Sequence, residues 1–244
     1  MSEDLVAGEL NIRPLAESGL LVEFPNVIDP AVVRRVMALT AALDAAQPPG
    51  LHDIVPSYRT IQLVFDPVET DGDTLAGVVR QLATGSSPHT TDAGREVTIP
   101  VAYGGAQGPD LADVAAHTGL APDEVCERHA VASYRVACMG FAPGFGFLVG
   151  LPPELATPRR ASPRTRVPAG SVAIGGAQTG VYPSELPGGW NIIGRTPVTL
   201  FDVARPEPFL IKPGDSVRFA PITSAEYQTY PAGADAATTG DVAG

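Results

Sequence analysis

GFAPGFGFLVGLP at residues 140–152, PRRASPRTRVPAGSVAIGGAQTGVYP at 158–183 and PGGWNIIGRTP at 187–197 decide how the second half of this chain folds. Apolar runs at 171–174, 191–193, 198–203, 209–211 and 216–219 are each too short for a helix. Glycine or proline separates them about every eight to twelve residues, which is the pattern of a β-barrel or β-sandwich. Immediately upstream, residues 95–103 and 134–141 read as strands, and 110–117 and 123–132 as short helices. A domain covering 95–231 follows from this. The final residues, AGADAATTGDVAG at 232–244, carry too little apolar surface to offset the entropy of ordering and are expected to form a disordered tail.

Residues 85–94, GSSPHTTDAG, have turn composition and no apolar period, and mark a linker. Before it, residues 9–16 and 19–24 read as strands, the first placed at a sheet edge by Pro14. From Pro30 to about Ala46 apolar residues recur at three and four, with Asp29 as N-cap and Pro30 at the first helical position. Strands near 53–55 and 60–65 and a helix over 74–83 complete a ββαββα order. Two helices on one face of an antiparallel sheet predict an α+β, ferredoxin-related domain over residues 1–84.

The chain has 244 residues and a net charge of −11, with 16 basic residues of which only Lys212 is a lysine. That charge argues against nucleic acid and against an anionic membrane surface. With one lysine, followed by Pro213, no G-x-x-x-x-G-K-[ST] phosphate loop exists. No apolar run of membrane-spanning length and no secretory leader is legible, so a cytoplasmic location is expected. Cys126 and Cys138 read as free core thiols. Cys126, His129 and Cys138 do not have the paired spacing of a zinc site, and no metal is expected. Neither G-x-S-x-G nor H-E-x-x-H occurs, so no self-sufficient catalytic constellation is present.

Against this acidic background, residues 140–196 hold 11 of the 26 glycines and five arginines against two acids. Glycines let backbone N–H groups approach a ligand, and arginine forks pair with carboxylate or phosphate, so this island is a candidate anion site. Gly175, Gly176 and Gln178 follow a strand-like SVAI and suit either a plain β-turn or a ligand surface. Arg159, Arg160, Arg164 and Arg166 lie in a proline-punctuated segment read as an extended loop, either solvated or clamping an anion or an acidic partner. Arg195, between Gly194 and Thr196 and beside two strands, is the leading charged candidate. Phe141, Phe145 and Phe147 would share one face if the segment were a strand, as core or as the rim of a pocket or interface. Tyr182 and Trp190 suit either core or pocket.

These motifs, together with VPSYRTI at 55–61, VTIPVAYGGAQGPDLADVAAHTGL at 97–120, LFD at 200–202 and GDSVRF at 214–219, resemble the 5-oxoprolinase B-subunit family. That family is also known as KipI or allophanate hydrolase subunit 1, and is related to half of the carboxyltransferase domain of urea carboxylase. The resemblance implies an N-terminal ferredoxin-like domain and a C-terminal cyclophilin-like β-barrel. It also implies a reaction in which three partner polypeptides, the A, B and C subunits, use ATP, with Mg2+, to open 5-oxo-L-proline to L-glutamate, ADP and phosphate. Phosphorylating the amide oxygen would make the resonance-stabilised carbonyl open to water. Carried onto this chain, Gly175, Gly176, Gln178, Tyr182 and Arg195 are the expected substrate or nucleotide contacts. Phe141, Phe145, Arg164, Arg166 and Trp190 are expected in a pocket or interface, and no tightly bound cofactor is expected. The family's GFxYLGGL is replaced by Phe147 and Val149 here, which removes a hydroxyl. Two other roles stay open: a KipI-like inhibitor of a sensor histidine kinase, and a carboxyltransferase-like component of a urea or allophanate pathway.

Overall fold

The structure is a computed structural model and describes residues 10–85, 95–231 and 236–239. The chain divides into two compact units, Met1–Ala93 and Gly94–Gly244. Most of the linker read over 85–94 lies outside the described residues.

In the first unit, β1 (Asn11–Pro14), β2 (Gly19–Glu23), β3 (Leu51–Pro56) and β4 (Thr60–Phe65) form an antiparallel sheet in the order β1-β2-β4-β3. Proline-ended β1 takes an edge, where its missing N–H costs no ladder bond. Alternation buries Leu20, Val22, Ile61, Leu63 and Phe65. Against the sheet pack helix α1 (Pro30–Ala46) and helix α2 (Gly72–Gly85). The α1 N-cap forms as its sequence requires, with Ala31 N–H donating to the Asp29 carboxylate at 2.7 Å. At the other end Gln47 adopts φ 40 and donates its N–H to Leu43 C=O, which stops the helix just before Pro48.

The second unit is a closed barrel of seven strands. Its members are β5 (Glu96–Tyr103), β6 (Tyr134–Met139), β7 (Gly146–Val149), β9 (Ser171–Gly175), β10 (Gln178–Val181), β12 (Asn191–Arg195) and β13 (Ser216–Ile222). They run β12-β9-β10-β7-β6-β13-β5, and β12 pairs again with β5 to close the ring. Only β13 and β5 are parallel. Alternate residues Val97, Ile99, Val101, Val136, Leu148, Val172, Ile174, Val217 and Phe219 fill the interior. Helices α3 (Leu111–Thr118) and α4 (Pro122–Val131), a 3₁₀ turn at Pro153–Leu155 and helix α5 (Ser224–Thr229) lie between strands.

Four sequence expectations are corrected. Residues 198–203 and 209–211 are not barrel strands; they meet in a single bridge, Phe201 to Phe209, because Pro197, Pro206, Pro208 and Pro213 deny the ladder its donors, while Leu200, Leu210 and Ile211 still bury into the core. The arginine segment is not loop throughout: β8 (Arg164–Val167) pairs with β11 (Leu186–Gly188) in a two-stranded ribbon. Phe141 does not continue a strand toward Phe145; it adopts φ 68 in a turn that Pro143 and Gly144 impose, and β7 starts only at Gly146. Lastly, the tail is not disordered throughout. Its residues Ala237–Thr239 form β14, paired with the first half of β5, whose backbone edge β12 leaves unfilled. Residues 232–235 and 240–244 lie outside those described.

Candidate functional site: an aromatic cleft on the barrel

The glycine-rich turn serves packing before it serves any ligand. Gly175 ends β9 opposite Gln178, and Gly176, at φ 67, turns the chain between them. Since Asn191 pairs with Ile174, the preceding Trp190 lies beside Gly175. A Cβ on Gly175 would stand 2.4 Å from the indole, so only glycine lets the ring lie flat there. Trp190 joins Phe145, Val167, Ala173, Tyr182 and Ile192 in a cluster separate from the barrel core. Phe145 is its hub, meeting Phe141, Phe147, Tyr182 and Trp190 edge-on at centroid separations of 4.8 to 5.6 Å.

This cluster forms the floor of a cleft of about 220 Å³, walled by Phe141, Phe147, Tyr182 and the Pro187–Trp190 segment, with Arg159 at its edge. The Tyr182 hydroxyl is wedged against Gly188, where a Cβ would lie 2.3 Å away. Burial raises its pKa above the usual phenol value, opposed by a hydrogen bond from the Trp190 backbone and by the charges of Arg159 and Arg164. Tyr182 therefore stays a neutral phenol near pH 7. The Arg159 guanidinium sits 5.9 Å from the centroid of the Trp190 ring, within cation–π range.

Of the other site residues read from the sequence, Arg164 is committed elsewhere. Its guanidinium grips Asp110 in a two-pronged pair at 2.7 and 2.8 Å, and Arg160 adds a third bond at 2.8 Å. The Ile192 N–H supplies a fourth at 2.7 Å, so the anion clamped by this segment is the protein's own buried carboxylate. Arg166 is a surface residue, 79% exposed, paired with Glu185 at 3.2 Å. Arg195 donates to Ala169 C=O and pairs with Ser171, at the opposite end of β9 from Gly175. Four strand residues span roughly 14 Å, so Arg195 does not converge with Gly175 and Gln178 on one small pocket. The structure thus brings together Phe141, Phe145, Tyr182 and Trp190, over Gly175, places Arg164 behind the cleft wall opposite Gly188 with its guanidinium spent on Asp110, and leaves Arg166 and Arg195 apart. Sequence reading did not single out Arg159 from its neighbours, nor Asp110 as their organiser. Nothing local distinguishes Arg159 from Arg160, and Asp110 looks like an ordinary helix N-cap although its carboxylate makes no cap bond.

His129 is a second polar group with a settled role. It is fully buried, its Nδ1 lies 2.8 Å from the Tyr103 hydroxyl and its Nε2 2.8 Å from Thr179 Oγ1. Because Thr179 donates onward to Ala173 C=O, its oxygen accepts from His129 Nε2–H, leaving Nδ1 to accept from Tyr103. Burial pushes the imidazole pKa down to about 3. Cys126, half-buried, is raised to about 11 by burial and by Asp123, so it is a thiol and not a reactive thiolate.

The described lining of the cleft therefore offers aromatic faces, a phenol and one guanidinium, but neither a nucleophile nor a general base. It is equipped to bind. Residues 10–211 match the family model for the carboxyltransferase domain, subdomain C and D. The chain belongs to this family. Among its relatives are proteins named as the B subunit of 5-oxoprolinase from Escherichia coli O157:H7, 44% identical over 85% of this chain and 94% of the relative, and from Bacillus subtilis strain 168, 37% identical over 90% and 95%. Of solved structures, that of TTHA0988 superposes with a TM-score of 0.72 at 40% identity, over 85% of this chain. This carboxyltransferase-type chain spans only 40% of TTHA0988, so the same fold there is part of a longer polypeptide. Kluyveromyces lactis urea amidolyase shares the fold, with a TM-score of 0.72 at 19% identity over 94% of this chain and 16% of its own length. No described helix is long and apolar enough to cross a membrane.

Proposed function

We propose that this chain is the B subunit of an ATP-dependent 5-oxoprolinase that opens 5-oxo-L-proline to L-glutamate only together with homologues of the C and A subunits. One observation carries the reading: the cleft has the faces and charge to hold a small acid, yet nothing among its described lining to activate water or take a proton. A lactam is resonance-stabilised, and opening it needs both a charge-stabilising environment and an activated nucleophile. Those groups would come from the partner chains. About 220 Å³ lies below the 300–1,000 Å³ of pockets that hold drug-sized ligands. A nucleoside triphosphate with its Mg2+ does not fit that space or the single cation of its described lining, so we read ATP as bound by the assembly outside this cleft. Arg195, with no carboxylate partner among the described residues, is read as a second anion contact open to phosphate or to an acidic partner residue. The strand order β1-β2-β4-β3 with two helices supports a ferredoxin-like reading of the first unit, with β1 supplying the outer strand.

Turnover is the direct test. The purified chain with ATP and 5-oxo-L-proline should release no glutamate, whereas mixing with the C and A homologues should give stoichiometric ADP and glutamate, at least about 100-fold above either fraction alone. Glutamate release by the isolated chain would overturn the reading. So would co-purification with a sensor histidine kinase in place of a C-subunit homologue.

A further inference from the structure

We propose that the aromatic cleft selects a small ring carrying one carboxylate, and that Arg159 is the residue that determines this specificity. The ring lies in the cleft against Phe141 and Phe147, which keep exposed surface, above the packed Phe145, Tyr182 and Trp190, and the carboxylate pairs with the Arg159 guanidinium. This assignment rests on the lactam-opening reading for the identity of the ring, but its argument is local to the cleft.

Arg159 differs from the other arginines of the 158–168 segment in its partner. Arg160 and Arg164 are consumed by Asp110, and Arg166 by Glu185. Arg159 has no carboxylate partner among the described residues and rests against Trp190. Contact with an aromatic face orients a guanidinium without using its N–H edge, so the planar fork stays available for a two-pronged bond to a carboxylate. A neighbouring backbone bond fixes the segment: Arg160 N–H donates to Gly189 C=O at 2.7 Å, tying the arginine run to the cleft wall. The walls are held in turn. Trp190 lies on Gly175, the Tyr182 hydroxyl is wedged at Gly188, and Phe145 is 2% exposed. Apart from Phe141, which is 60% exposed, these walls do not have to be ordered on binding, so little affinity is lost to conformational entropy. Its size admits a small ring and its substituent and excludes a nucleotide.

Trp190 is the only tryptophan, so its emission reports on the cleft in the intact chain. Titrations with 5-oxo-L-proline and with 2-pyrrolidone, the same lactam without the carboxylate, should be followed by that emission and by calorimetry. The acid is expected to bind saturably and at least about tenfold more tightly than the neutral lactam. Arg159→Ala should remove about that factor for the acid and leave 2-pyrrolidone unchanged. Arg159→Lys should recover part of it, and Arg128→Ala, a surface control on α4, should bind the acid as the parent does. The proposal fails if acid and lactam bind alike, if Arg159→Ala binds the acid as the parent does, or if no saturable change appears up to about 50 mM acid. Failure here with ATP-dependent turnover intact in the assembly would leave the function standing and remove this subsite. Selective binding of the acid without turnover in any assembly would keep the subsite and remove the function.

Discussion

Arg159 and Arg160 are chain neighbours with opposite fates, and the regions they serve are opposite in kind. Arg160 belongs to a knot around Asp110, in which a carboxylate only 3% exposed accepts four hydrogen bonds. That knot ties the arginine segment and β12 to the start of α3. Arg159 belongs to a cleft with a packed aromatic floor, where it is the one cation of the described lining and has no carboxylate partner among the described residues. In the knot charge is neutralised internally and acts as a fastener. In the cleft charge is left over, and leftover charge beside a preformed apolar surface is what a binding site requires. The comparison teaches that a basic sequence run does not by itself define an anion site: the fold can consume most of its charge, and only the remainder acts on a ligand.

The comparison breaks most readily at Asp110. Asp110→Ala would leave two guanidiniums and the Ile192 N–H without their acceptor, and should destabilise the protein by about 3 kcal/mol, measured by urea unfolding. A loss under about 1 kcal/mol would mean that the knot is not a fastener. His129 offers a second test of fully partnered polar groups in the barrel. Its folded pKa of about 3 lies below the ordinary 6.5, so between those values the unfolded chain binds the extra proton. Its contribution is therefore complete above pH 6.5 and falls as the pH drops toward 3. Between pH 7 and pH 5 the loss should be about 2 kcal/mol, and the pH slope should largely disappear in His129→Gln. Equal stability at the two pH values in the parent would contradict a neutral, locked imidazole. The smallest effect belongs to Arg159. Arg159→Ala should change unfolding stability by less than about 0.5 kcal/mol, as expected for a side chain with no ion-pair partner among the described residues, and a larger loss would place it with the knot.

Much of the architecture is legible in the residues because its causes are local. Helix α1 runs from Pro30 to Ala46, matching the span read from the N-cap, the proline and the apolar period. Residues 60–65 form the strand that their alternation dictates. The barrel is foreshadowed by short runs between glycines and prolines. Where the residues mislead, the causes are distant. Val198, Leu200, Leu210 and Ile211 are apolar because they bury into the barrel core, although Val203 beside them is 79% exposed, and apolarity alone does not separate such a segment from a strand of the wall. Residues 237–239 become a strand because β5 has a vacant edge, which their own composition does not reveal.

At the cleft the division is the same. Sequence alone determined the family, the glycine-rich and arginine-bearing surface, and the aromatic residues Phe141, Phe145, Tyr182 and Trp190 that meet there. Only tertiary structure decided which arginine remains available, because that depends on Asp110, some 50 residues away in the chain, arriving beside Arg160 and Arg164 and not beside Arg159. Side-chain type is written residue by residue, whereas the pairing of charges is settled by distances that exist only once the barrel has closed.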